Sequence, residues 1–166
     1  MTSARSPRLR SAAATLLAVT ALGLAGCTGT GVGAQTNQQY QAGAGANLRT
    51  GQVQLYNALA VDNGDGTATL STVVVNTTDE TQKLDTASAT TGGGEVAVQT
   101  APAIIGPRDS FNTGPAATVV LTGGAVKAGD YATVTLAFDK AGDVTIEAPV
   151  VTRTKMYSEV AEKPGG

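Results

Sequence analysis

The chain has 166 residues, 42% hydrophobic and only 4% aromatic, with no tryptophan, no histidine and one cysteine. Without histidine it can build no Ser-His-Asp triad, Cys-His pair or imidazole metal site, and one cysteine allows neither an intrachain disulfide nor a multi-cysteine zinc site. Arg5, Arg8 and Arg10 precede the first apolar run, leaving eight basic residues against 13 acidic ones, a net −5, so the body lacks the basic footprint used on nucleic acid or anionic lipid.

Residues 1–10 are basic and residues 12–25 apolar, the pattern of an export signal. The apolar run falls short of the roughly 20 residues that a membrane span needs, which disfavours an uncleaved signal anchor. No Arg-Arg pair is present, which favours the general secretory route over twin-arginine export. The run ends on Leu24-Ala25-Gly26-Cys27. This tetrad resembles the bacterial lipobox. The resemblance implies a signal peptide over 1–26, cleavage between Gly26 and Cys27, and a diacylglyceryl group on the Cys27 thiol. Two or more acyl chains hold a protein on a membrane where one does not. The expected location is the extracytoplasmic face of the cell membrane, and the lone thiol is consumed as the anchor.

Residues 27–49 are rich in Gly, Ala, Gln, Asn and Thr without hydrophobic period. Such a segment cannot bury enough surface to offset its ordering entropy, and it reads as a flexible tether. Its glycine pairs neither follow a strand nor open a helix, so they make no phosphate loop.

From Gly51 onward the dominant period is two, the signature of strands. Val53, Leu55, Leu59 and Val61 fall on one face, opposite Gln54, Tyr56 and Ala58, with Asn57 interrupting the apolar side as a bonded buried amide or a bulge. Val73-Val74-Val75 and Val119-Val120-Leu121 are continuous, as in strands covered on both sides. Ala132, Val134, Leu136 and Phe138 alternate with polar residues, as do Val144, Ile146, Ala148 and Val150. Turn residues separate the runs at Asp62–Gly66, Gly92–Gly94, Gly106-Pro107, Gly123-Gly124 and Lys140–Gly142. About seven strands over residues 50–157 predict an all-β antiparallel sandwich of Greek-key, cupredoxin- or immunoglobulin-like type. Pro149, without an N–H, should end its strand or lie at an edge. Residues 158–166 are charged, close on Pro-Gly-Gly and should fray.

Two segments, "LSTVVVNTTDETQKLDTASA" (70–89) and "VKAGDYATVTLAFDKAGDVTIEAPVV" (126–151), resemble the periplasmic copper chaperone family called PCu(A)C. The late match runs through Gly129, Asp130, Val134, Leu136, Phe138, Ala141, Gly142, Val144, Pro149 and Val150. The lipobox, the tether and "QLYNALAVDNGDGTATLSTVVVN" look closer still to the actinobacterial lipoproteins called LpqE. The resemblance implies a cupredoxin-like Greek-key fold. The family holds Cu(I) through His and Met, one pair lying in an "H-x-M-L" stretch. Here Thr118-Val119-Val120-Leu121 stands in that place, and Val96–Gln99 stands where an earlier His-bearing strand falls. Soft Cu(I) wants imidazole, thioether or thiolate, and beyond the initiator the one methionine is Met156. The expectation is therefore the fold without the copper ligands: no metal site and no cofactor.

Other candidate chemistry reads as loop structure. Asp62 and Asp65 lack the calcium-loop spacing and suit a hairpin turn. Asp79-Glu80 are adjacent loop carboxylates, without a pocket to drive their pKa values apart. Asn76-Thr77-Thr78 fits a glycosylation sequon by accident in a bacterial lipoprotein. No nucleophile comes with a base, so no enzyme is expected. The expected function is a lipid-anchored, non-catalytic binding or accessory module with a protein partner in the cell envelope, beside membrane complexes such as respiratory ones. The alternative is a PCu(A)C-type copper carrier with a degenerate site.

Overall fold

The structure is a computed structural model that describes residues 44–123 and 126–164. The signal peptide, the lipobox Leu24-Ala25-Gly26-Cys27 and the tether as far as residue 43 lie outside the described residues. Ten strands follow in chain order: β1 (Ala46–Leu48), β2 (Val53–Asp62), β3 (Thr67–Asn76), β4 (Gln82–Thr91), β5 (Gly94–Thr100), β6 (Ala103–Ile105), β7 (Ser110–Asn112), β8 (Val119–Thr122), β9 (Tyr131–Phe138) and β10 (Gly142–Thr152). A single 3-10 turn, Lys155–Tyr157, is the only helical element among the described residues.

Seven of the strands pair in a closed, barrel-like ring, β2-β10-β9-β4-β5-β8-β3 and back to β2. The three short strands, β1, β6 and β7, pair on β2, β4 and β3 respectively. The all-β class and the seven long or ring strands agree with the alternation read from the sequence. The uniformly antiparallel expectation does not hold, because the last residues of β10 run parallel to β2 (Val150↔Ala60 to Thr152↔Asp62).

Pro149 marks where that switch occurs. Up to Pro149, which pairs with Tyr131, β10 lies along β9. From Val150 onward it lies along β2. A residue without an N–H suits a position where the ladder changes partner. The strand therefore continues through the proline instead of ending there, with Val150 N–H donating to the Asp130 carbonyl at 2.8 Å.

The main core gathers Leu55, Leu70, Leu84, Leu121, Leu136 and Ile146 from strands all round the ring. Fully burying each such side chain stabilises the fold by about 1.5–3 kcal/mol. Ala132, Val134, Leu136, Phe138, Val144, Ile146, Ala148 and Val150 all point inward, as their alternation predicts. Val119, Val120 and Leu121 are buried without alternation, as expected, whereas in the other valine run only Val74 is buried.

Strand β2 departs from its predicted face. Asn57 adopts φ +52°, and β2 advances from Tyr56↔Val73 to Leu59↔Ser71, placing two residues opposite one. This is a β-bulge, and it reverses which parity faces inward. Val53 and Leu55 join Ala58 and Ala60 in the main core, while Leu59 and Val61 turn to a second cluster with Val160. Of the two readings of Asn57, the bulge holds and the buried amide does not, since Asn57 is exposed.

The bulge is clamped by β1. Asn57 N–H donates to Asn47 Oδ1 at 2.8 Å, and Asn57 Oδ1 accepts from Gly45 N–H at 3.2 Å. A Cβ at Gly45 would stand 2.5 Å from the Asn57 carbonyl carbon, so only glycine fits. The tether expected to run to residue 49 thus gives way to ordered strand by Ala46. Gly45 and Asn47 are held by hydrogen bonds to the bulge, a signal that hydrophobic periodicity does not carry.

The expected fraying tail is also corrected. Val160 is buried, Ala161 N–H donates to the Gly114 carbonyl at 3.0 Å, and the Thr69 hydroxyl donates to the Ala161 carbonyl at 2.8 Å. Arg153 reaches over to the Val160 carbonyl (Nη1, 2.8 Å) and to Asn63 Oδ1 (Nη2, 2.5 Å). Residues 154–162 form a strap over Leu59 and Val61.

Candidate functional site

The two stretches that the resemblance assigns to copper lie side by side. Strand β5 pairs antiparallel with β8 through Thr100↔Val119, Gln99↔Val120, Val98↔Leu121 and Ala97↔Thr122. In the ring wall Val119, Val120 and Leu121 of β8 and the preceding Thr118 are all buried, with Val119 and Leu121 in the main core. Val96 is buried as well, while Ala97 and Gln99 face out. The two stretches therefore form one antiparallel ribbon. Its side chains are aliphatic, hydroxyl or amide, and none is a soft donor.

Met156 lies elsewhere, on the 3-10 turn of the strap, with 81% of its surface exposed. It borders a cavity of about 380 Å³ with Asn57, Leu59, Pro115, Tyr157 and Val160, and no residue of β5 or β8 lines that cavity. Among the described residues, no three Asp, Glu, His or Cys side chains gather where they could share a metal ion. The donor set and its placement do not fit Cu(I).

The other sequence candidates have structural roles. Asp62 Oδ1 accepts from Gly64 N–H at 2.8 Å, and Asp65 Oδ1 accepts from the Thr67 hydroxyl at 2.6 Å and from Thr67 N–H at 3.1 Å. These bonds close the β2–β3 turn. Gly64 and Gly66 both take positive φ there, which their lack of a Cβ permits. The Thr67 hydroxyl bond holds the Asp65 carboxyl below the usual carboxylate range, with the Thr67 backbone N–H adding to it. Asp62 Oδ2 also accepts from Ala128 N–H at 3.1 Å, tying this turn to the segment before β9. The turn reading of these residues holds.

Asp79 and Glu80 form separate exposed ion pairs. Arg108 meets Asp79 with two parallel bonds, Nε–Oδ1 at 2.8 Å and Nη2–Oδ2 at 3.2 Å. That hydrogen-bonded guanidinium lowers the Asp79 pKa, and Asp79 in turn raises that of Arg108. Lys140 Nζ stands 3.2 Å from Glu80 Oε2. The two adjacent carboxylates face different cations and do not act as an acid–base pair.

Asn76 is the polar residue whose role the sequence did not reveal. It is buried at the end of β3. Its Nδ2 donates to the carbonyls of Glu80 (2.6 Å) and Gly106 (2.8 Å), and its Oδ1 accepts from Thr78 N–H (3.0 Å) and the Thr78 hydroxyl (2.7 Å). One amide thus pins the β3–β4 loop to the segment after β6. Its strand-end place in the segment quoted for the family resemblance was the one available sign. The amide nitrogen of the Asn76-Thr77-Thr78 sequon is thus buried and spent in these bonds.

The sequence matches no protein-family profile and no curated protein. Solved structures do share its fold. The copper-bound PCuAC domain from PmoF2 superposes with a TM-score of 0.51 at 24% identity, covering 65% of this chain and 99% of that domain. The apo PCuAC domain from PmoF1 superposes with a TM-score of 0.53 at 20% identity, covering 65% of this chain and all of that domain. The chain has a PCuAC-like fold.

Proposed function

We propose that the chain is a PCuAC-type metal-carrier domain with a degenerate copper site, one that binds without catalysing a reaction. The likeness to PCuAC domains over their whole length carries this reading. It favours copper handling over the accessory role expected first from the sequence. In this reading the barrel is a cupredoxin-like Greek-key sandwich. Copper is held weakly, through carboxylates and Met156, because Val96–Gln99 and Thr118-Val119-Val120-Leu121 stand where soft donors would be needed.

That same lack of donors supports the second reading, a non-catalytic accessory module that keeps the carrier fold and binds a protein of the cell envelope. Copper content separates the two. On the carrier reading the full chain isolated from copper-supplemented cells should carry copper below one per chain that falls further in Met156→Ala, whereas no copper above background would favour the accessory module. One copper per chain, lost in Met156→Ala, would establish a carrier with Met156 as ligand.

The sequence Leu24-Ala25-Gly26-Cys27 supports lipid anchoring on the extracytoplasmic face of the cell membrane. Cys27→Ala should leave an unprocessed precursor or release the domain from the membrane fraction. Normal processing and detergent-phase partitioning of that variant would contradict the anchor.

A further inference from the structure

A cleft unrelated to β5 and β8 opens between the β4–β5 turn and the start of β9. Its volume is about 560 Å³, within the range of small-molecule sites. Thr90, Asp130, Tyr131, Thr133 and Glu147 line it, together with the backbone of Gly92-Gly93.

Strand pairing builds this cleft. Thr90 on β4 stands opposite Thr133 on β9, and Thr133 stands opposite Glu147 on β10. All three are exposed, so one row of polar groups crosses three strands on the outer face. The row below it, Ser88, Thr135 and Thr145, repeats the hydroxyl chemistry. Tyr131 begins β9 and pairs with the rigid Pro149, leaving its ring 59% exposed at the head of these rows. Only three large hydrophobic side chains are so exposed among the described residues, and this is the one aromatic ring.

The polar groups of the cleft are unspent. Among the described residues, the side chains of Thr90, Asp130, Tyr131, Thr133 and Glu147 make no hydrogen bond or ion pair within the chain. No lysine or arginine lines the cleft, so a phosphate, sulfate or uronate would meet two carboxylates and no compensating cation. A simple ammonium ion would gain little, because exposed carboxylates attract a cation only weakly in water. A sugar ring uses everything present. Its C–H face covers an exposed aromatic ring, its hydroxyls donate to carboxylates in charge-assisted bonds, and the threonine hydroxyls both donate and accept.

We infer that this cleft is a saccharide-binding site, taking an uncharged, hydroxyl-rich sugar ring against Tyr131 with Asp130 and Glu147 accepting its hydroxyls. The inference does not depend on the copper reading, since the cleft shares no residue with β5, β8 or Met156.

Isothermal titration calorimetry reads binding here, because it keeps its signal when Tyr131 is replaced. The full chain, purified in detergent, is titrated with maltohexaose, cellohexaose and chitohexaose, and in parallel with oligolysine. At least one of the neutral oligosaccharides should bind with a saturable heat of binding. Tyr131→Ala should weaken that binding by about tenfold or more, Glu147→Gln by about tenfold, and Tyr131→Phe by less than about threefold, since the ring face remains. Circular dichroism should be unchanged in all three variants, because both side chains are exposed. No response to any neutral saccharide would overturn the inference. So would binding that Tyr131→Ala and Glu147→Gln leave unchanged, or a site that takes oligolysine in place of sugars.

Discussion

The β5–β8 ribbon and the C-terminal strap show two ways in which this chain uses one fold. In the ribbon, Val96, Val119, Val120 and Leu121 are buried in the ring wall, and none of its side chains is a soft donor. On the strap, the one described thioether, Met156, is largely exposed, and the segment is held by backbone and arginine bonds. Frame and donor are thus separated onto different parts of the molecule. A PCuAC-like fold can be held by its core alone, independent of any ligand set.

If the ring is self-sufficient, damage to it should cost most. Leu136→Ala removes a fully buried side chain from β9 and should lower the unfolding free energy by about 3–4 kcal/mol in urea titration. A cost below about 1 kcal/mol would mean that the ring does not carry the stability.

Asn76→Ala should rank next. It strands the Glu80 and Gly106 carbonyls and the Thr78 N–H that Asn76 bonds, at a cost of about 2–3 kcal/mol. Amide hydrogen exchange should accelerate at the β3–β4 loop in that variant and leave β9 unchanged.

The strap should be the weaker region. Val160→Ala should cost about 1.5 kcal/mol and sensitise residues 154–162 to proteolysis before the barrel unfolds. If strap and ring melted together after this change, the two would be one cooperative unit and the contrast would fail.

The smallest effect concerns acid. Hydrogen bonds hold Asp65 and Asp79 below the usual carboxylate range, so each contributes stability that is present above its unfolded pKa and lost as pH falls through the folded one. Stability should therefore decline below about pH 4. Asp79→Asn and Asp65→Asn should each flatten that decline slightly, because both groups are fully exposed and screened. A steeper decline in either variant would contradict the assignment.

What the sequence revealed and what it hid follow from different forces. Strands β9 and β10 were legible because burial on one face imposes a two-residue period, and residues 132–138 and 144–150 keep it without interruption. Leu59 and Val61 were placed on the wrong face because a single αL residue, Asn57, reverses the parity, and nothing in the apolar pattern announces the φ. The strand at Ala46–Leu48 and the strap were hidden for a related reason. Both are tied down by hydrogen bonds between distant residues, such as Asn47 with Asn57 and Thr69 with Ala161, and composition does not record those. The lack of soft donors at β5 and β8 was fully legible, because it depends on residue identity alone. The juxtaposition of those strands required the register.

The claim that this PCuAC-like fold stands without a competent Cu(I) site is tested most directly by competition. The full chain, in its reduced state and under anaerobic conditions, is titrated with Cu(I) in the presence of a chromophoric chelator of moderate strength. The account predicts that the chelator keeps the metal, with no saturable transfer to the protein and no difference between the native chain and Met156→Ala. Stoichiometric, tight transfer that weakens on Met156→Ala would contradict it.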